Sequence, residues 1–197
     1  MLIKKIADYN LYLCSQSPRR KELLRGMDLN FEVIKSNVEE SYPSSLSPVE
    51  VVEYLSNLKL SAIPLEQYPE NSIFIGCDTI VVMDQKIMGK PADEKEAFEI
   101  ITQLSGRKHN VITGVTVATK KRRITSHRTT MVSFKDFTPE EIDYYIKQYK
   151  PYDKAGGYGI QEWIGFVGID HIEGSFYNVM GFPTKLVYDM LTEIIQD

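Results

Sequence analysis

Cysteine is scarce: the 197 residues hold only Cys14 and Cys77, far apart and outside any CxxC spacing. That excludes a disulfide framework and a cysteine-based zinc site, and it fits a reducing compartment. The three histidines, His109, His127 and His171, stand in separate segments without ligand spacing, so they read as structural or surface residues. Excess positive charge is missing too, because 23 Lys and Arg against 27 Asp and Glu leave a net charge of −4. A protein that coats nucleic acid usually carries a basic face or a basic balance. The run Lys120 to Arg123 is read instead as the solubilising tip of a hairpin. No apolar run approaches a membrane span, and Met1 to Asn10 lacks the apolar stretch of a signal peptide. The expectation is a soluble cytoplasmic protein with no membrane and no nucleic-acid partner. Neither GxxxxGK[ST] nor GxGxxG occurs, so the chain carries no P-loop and no dinucleotide fingerprint.

What is present is a 43% hydrophobic chain, long enough for one sizeable core and for two lobes that share a cleft. Strand-like and helical stretches alternate along it. A helix opens at Pro18 and stops at Gly26, and Phe31 to Ile34 has strand character. Ser47-Pro48-Val49-Glu50 is a capping box, followed by Val51, Leu55, Leu58 and Ala62 at helical spacing. Ser72 to Cys77 and Ile80 to Met83 read as buried strand, interrupted by Asp78-Thr79, and Asp84-Gln85 makes a hairpin turn. Asp93 and Glu96 cap a helix that presents Ala97, Ile100, Ile101 and Leu104. Two strands lie between His109 and Phe134, and Thr138-Pro139-Glu140-Glu141 opens a helix that Pro151 ends. A short strand near Phe166 to Ile169 and a last helix from about Pro183 complete an α/β pattern: a mixed central β-sheet flanked by helices.

Leu11 to Leu13 runs as a buried strand into Ser15 and Ser17, and Pro18 then presets a first helical turn whose free N–H groups attract anions. Arg19 and Arg20 add bidentate donors suited to phosphate, although cations in a first turn oppose the helix dipole. Glu40 and Asp78 each follow a strand-like run, where ligands gather in open α/β sheets. Together the two carboxylates could hold magnesium or manganese. Asp78 is the harder to dismiss, because it sits inside an apolar run at a cost in free energy. Lys59 lies beside the apolar stripe of its helix, where a lysine stem commonly snorkels to solvent. Lys90 is the stronger candidate for a ligand contact, since Gly89 permits close approach and Pro91 stiffens the loop.

Eight motifs occur in order: Ser15-Gln-Ser-Pro-Arg-Arg20, Glu39-Glu40, Gly76-Cys-Asp-Thr79, Gly89-Lys-Pro91, Leu104-Ser-Gly-Arg107, Asp153-Lys-Ala-Gly156, Tyr158-Gly-Ile-Gln161 and Asn178-Val-Met-Gly-Phe-Pro183. Their order and spacing resemble the Maf family over nearly the whole chain. The resemblance implies one Maf-like, ITPase-like domain over residues 1–197, a divalent metal cofactor and a tendency to form homodimers. It also implies hydrolysis of a nucleoside triphosphate substrate to the monophosphate and pyrophosphate. Asp78-Thr79, Asp153-Lys154 and Tyr158 to Gln161 look like the dTTP/UTP type, a house-cleaning activity that includes modified pyrimidine nucleotides. Asp78, Glu40, Lys59 and Lys90 are the expected catalytic residues, with Asp78 and Glu40 on the metal. Substrate contacts are expected from Ser15, Ser17, Arg19, Arg20, Thr79, Lys154 and Gln161, with Gln161 at the base. Two departures stand out: Cys14 replaces an alanine before the first serine, and Glu162-Trp163 replaces a small pair after Gln161. The rival reading is a non-catalytic nucleotide-binding regulator of cell division.

Overall fold

The computed structural model describes residues 1–196 as an α/β protein with a mixed seven-stranded sheet flanked by helices. The elements run α1 (Leu2–Ile6), β1 (Asn10–Leu13), α2 (Pro18–Arg25), β2 (Glu32–Val33), α3 (Pro48–Ser61), β3 (Ser72–Met83), β4 (Lys86–Met88) and α4 (Glu94–Leu104). They continue with β5 (Lys108–Ala118), β6 (Arg123–Phe134), α5 (Pro139–Tyr149), α6 (Trp163–Gly168), β7 (Ile169–Glu173), α7 (Phe176–Val179) and α8 (Thr184–Ile194). The strand order is β2-β1-β3-β5-β6-β7, and β4 pairs with β3. Two compact units divide the described residues: 1–78, 113–128 and 181–196 form the first, and 79–112 with 129–180 form the second.

In the first unit β1 is parallel to both β2 and β3, so the apolar run Leu11 to Leu13 sits between partners and is buried. Its core gathers Leu13, Ile73, Ile75, Val115, Val117 and Leu191. Helix α3 begins with the capping box the sequence announces: Ser47 Oγ accepts the Glu50 N–H while the Glu50 carboxylate accepts the Ser47 N–H. The helix settles on two glycines of the sheet. A Cβ at Gly114 would lie 2.2 Å from the Val52 carbonyl oxygen, and one at Gly76 would lie 2.4 Å from that of Ser56. The basic hairpin tip is tied down within this unit, for Lys120 pairs with Glu70 at 2.9 Å and Arg122 with Glu193 at 2.6 Å.

In the second unit Asp84 and Gln85 both take positive φ, as a two-residue hairpin turn requires, and β4 folds back antiparallel on Val81 to Met83. Asp93 caps α4 and Thr138 caps α5 through a full capping box. The packed interior includes Leu104, Phe134, Ile142, Tyr145, Ile146 and Ile164. His109 lies in this interior with Nε2 2.8 Å from the Tyr158 hydroxyl, and burial pushes its imidazole down to about 4, so the ring is neutral.

The structure corrects four local expectations. Asp78-Thr79 does not interrupt the strand: β3 runs unbroken through twelve residues. The strand expected over Phe31 to Ile34 contracts to Glu32 and Val33, both exposed. Phe166 to Ile169 is not a strand, because Trp163 to Gly168 forms α6 and β7 starts only at Ile169. The inner face of α3 is Val51, Val52, Leu55, Ser56, Lys59 and Leu60, leaving Leu58 half-buried and Ala62 exposed.

Candidate active site

Past the end of β1 the chain turns through Ser15 and Ser17 into α2. Ser15 Oγ accepts the Ser17 N–H at 3.3 Å and an Arg20 Nη1 hydrogen at 3.3 Å. The same Nη1 donates to the Cys77 carbonyl at 2.8 Å, and Arg20 Nε donates to the Gly181 carbonyl at 2.9 Å. One guanidinium thereby ties the opening of α2 to the middle of β3 and to the segment that leads into α8. Those acceptors answer the unfavourable helix dipole at this position. Arg19, beside it, is half-buried.

Lys59 organises the second cluster. It is 8% exposed, and its Nζ lies 2.6 Å from Asp78 Oδ1 and 3.1 Å from Glu40 Oε1. It also reaches the Cys77 carbonyl at 3.5 Å, so that oxygen joins the Lys59 cluster to Arg20. Asp78 is buried in an apolar strand, which is tolerable because a buried cation meets it; either charge alone would be costly. Glu40 comes from an irregular segment and keeps nearly half of its side chain exposed. The close seat of α3 on Gly76 is what brings Lys59 to Asp78. Gly76→Ala would force Leu60 Cγ, 2.9 Å from the new methyl, and the Ser56 carbonyl away from β3. That substitution is expected to destabilise the fold by about 3 kcal/mol in urea unfolding and to lower turnover of the remaining folded protein.

The cluster fits a hard divalent cation. Two carboxylates converge on one ammonium, and among the described residues no third His, Cys, Asp or Glu joins them. Magnesium commonly binds through one or two carboxylates plus substrate phosphates and waters, so this donor set is sufficient.

The remaining expected residues belong to the second unit. Thr79 is half-buried and follows Asp78 directly, at the point where the chain passes between units. Lys90 is exposed, on a loop held to the glycine-rich segment by the Gly156 N–H donating to the Gly89 carbonyl at 3.0 Å. Gly156 has φ of +69°, and a Cβ there would meet Val81 Cγ2 at 2.8 Å. Lys154 is 8% exposed and pairs with Asp153 at 2.9 Å and Glu162 at 3.1 Å. Gln161 is half-buried, and its Oε1 is shielded from solvent with no hydrogen-bond partner among the described residues. A shielded acceptor without a donor costs free energy unless a ligand or water supplies one.

The structure therefore joins Ser15 with Arg20, and Lys59 with Asp78 and Glu40, within the first unit. It groups Lys154 with Asp153 and Glu162 in the second. The Maf-like protein family model matches residues 10–194. The chain belongs to the Maf family. Similar to it are the dTTP/UTP pyrophosphatase of Flavobacterium johnsoniae, 45% identical over 99% of this chain and 100% of the relative, and that of Porphyromonas gingivalis ATCC 33277, 44% identical over 98% of each. The dTTP/UTP pyrophosphatase of Parabacteroides distasonis is 44% identical over 96% of this chain and 98% of its own.

Within this Maf scaffold, sequence reasoning overlooked two kinds of participant. The Cys77 and Gly181 carbonyls that receive Arg20 are backbone groups, which no residue pattern announces. Tyr145 and Glu162 tie the ends of the turn that carries Gln161, and only Glu162 had a signal, as a departure from the family pattern.

Proposed function

We propose that this Maf protein hydrolyses nucleoside triphosphates, dTTP and UTP foremost and modified pyrimidine nucleotides besides, to the monophosphate and pyrophosphate. The observation that carries this reading is the Asp78–Lys59–Glu40 cluster linked to Arg20 through the Cys77 carbonyl. The pyrimidine preference is supported by the names of the relatives. Water attacks the α-phosphorus, the bond to the bridging oxygen breaks, and pyrophosphate leaves. Asp78 and Glu40 would hold magnesium or manganese, which when bound supplies charge neutralisation and Lewis acidity. Lys59, Arg19, Arg20 and Lys90 neutralise the triphosphate and the charge that develops on pyrophosphate, while Ser15 and Ser17 donate hydrogen bonds. The chemistry is positioning and electrostatics, with no covalent intermediate. Thr79 and Lys154 contribute substrate contacts, and Gln161 meets the base edge through its amide.

The reading extends to a cytoplasmic homodimer in which residues 1–197 form a single functional domain. Free buried thiols at Cys14 and Cys77 agree with a reducing compartment, and among the described residues no helix is long and apolar enough to cross a membrane. The test is a panel of nucleotides scored for pyrophosphate release with magnesium and with manganese. dTTP and UTP are expected to exceed ATP and GTP in kcat/KM by at least about tenfold. Preference for a purine triphosphate or for 7-methyl-GTP would overturn the substrate assignment. A nucleotide-dependent rise in melting temperature without product would support the regulator instead.

A further inference from the structure

The second unit holds a buried polar network in which the proposed reaction gives Tyr145 and Glu162 no part. Tyr145, on the inner face of α5, is fully buried, and its hydroxyl accepts the Gly159 N–H at 3.0 Å and donates to Glu162 Oε2. Burial, with the Glu162 carboxylate beside it, pushes the phenol well above its ordinary range, which keeps it a donor. The other oxygen of Glu162 pairs with buried Lys154 at 3.1 Å. The Glu162 N–H donates to the Gly159 carbonyl at 3.0 Å, closing a four-residue turn that carries Gln161 at its third position. A single phenol thus grips both ends of the turn, one through a backbone N–H and the other through a carboxylate. A Cβ at position 159 would lie 2.8 Å from Glu162 Cδ, so any larger residue would push the carboxylate from its place. Glu162 then leads into α6, whose first turn begins with the Gly165 and Phe166 N–H groups donating to its carbonyl.

A half-buried carboxylate with two partners is a costly device for shaping a loop. An ordinary glycine-rich turn could close without it. The only side chain in the closed turn that presents an unmatched polar atom is Gln161, through Oε1. We infer that Tyr145 and Glu162 are positioning residues that fix Gln161 and Lys154, and thereby set the preference for a pyrimidine base. The inference rests on the proposed reading of Gln161 as the group that meets the base. Fixing an amide in advance removes the entropy of ordering it on binding and leaves its acceptor for a donor on the base.

The experiment compares dTTP, UTP and ATP kinetics in Tyr145→Phe, Glu162→Gln, Gln161→Ala and the Gln161→Ala/Tyr145→Phe double variant, with melting temperatures recorded for each. Tyr145→Phe should raise KM for dTTP by about tenfold with kcat little changed, and should shrink the dTTP to ATP ratio by a similar factor. Glu162→Gln keeps an acceptor for Tyr145 but loses the charge that faces Lys154, so it should shift the ratio in the same direction by a smaller factor. The double variant should discriminate no worse than Gln161→Ala, since both changes act through one group. A merely structural role would lower the melting temperature and reduce all nucleotides alike, and an unchanged dTTP to ATP ratio in folded Glu162→Gln and Tyr145→Phe overturns the inference. Should Tyr145→Phe fail to fold, Glu162→Gln decides alone. If Gln161→Ala loses selectivity while the other two retain it, this inference falls and the reading of Gln161 stands. If Gln161→Ala itself retains selectivity, that reading fails and the inference falls with it.

Discussion

Asp78→Asn is expected to reduce metal-dependent pyrophosphate release from dTTP by roughly a thousandfold, because it removes a buried carboxylate proposed to hold the metal. The substitution is nearly isosteric, so its effect on shape is small. The asparagine oxygen can still accept from Lys59 Nζ, which lies 2.6 Å from Asp78 Oδ1 and remains paired with Glu40 at 3.1 Å. Loss of a charge-assisted hydrogen bond should cost about 2 kcal/mol in urea unfolding, which leaves the protein folded. Nucleotide added without metal should still raise the melting temperature of the variant, since Arg20 and the α2 turn are untouched. Near-normal turnover in a protein shown to be folded would remove Asp78 from the chemistry. A variant that neither turns over nor responds to nucleotide would mean that Asp78 serves binding as well as the chemical step.

The parts of the fold that the sequence announced are those settled within a few residues. Ser47 with Glu50, Asp93 with Glu96, and Thr138 with Glu141 place helix starts, because a cap is a contact between near neighbours. Asp84-Gln85 places the hairpin for the same reason. Phe166 to Ile169 looked like a strand because its residues favour one. Packing decided otherwise: Gly165 lies so close that a Cβ would fall 1.8 Å from the Ile160 carbonyl, and Gly168 lies against the Phe137 ring. Asp78 looked like an interruption of β3 because an isolated carboxylate should end a buried strand. Lys59, nineteen residues earlier, supplies the charge that lets the strand continue. The site divides in the same way. Ser15 to Arg20 was readable as a strand turning into a helix start, since a strand, hydroxyls, proline and arginines follow one another. The burial of Lys59 was not, since it depends on α3 resting on Gly76 and Gly114, a contact between distant segments. Nor was the bond from Tyr145 to Glu162, which joins residues of ordinary type seventeen positions apart.

Lys59→Met should produce the second large effect, and its form tests why a lysine is buried here. Methionine matches the apolar stem but removes the ammonium, so Asp78 stays buried in β3 with no cation opposite it and Glu40 faces it as a second negative charge. Removing one partner of a buried pair costs on the order of 3 kcal/mol, which urea unfolding in the presence of EDTA should register. Turnover should fall by about a hundredfold, because the group proposed to balance the phosphate charge is gone. Millimolar magnesium should restore part of the lost stability in the variant while adding little to the native protein, since a divalent ion can answer the charge that the ammonium answered. The double variant Lys59→Met/Asp78→Val supplies the decisive contrast. Replacing both charges with apolar groups removes the uncompensated carboxylate, so the double variant should be more stable than Lys59→Met alone, unresponsive to magnesium, and inactive. If Lys59→Met is as stable as the native protein and indifferent to magnesium, the Asp78 carboxylate does not depend on Lys59, and the two residues are neighbours without being a coupled pair.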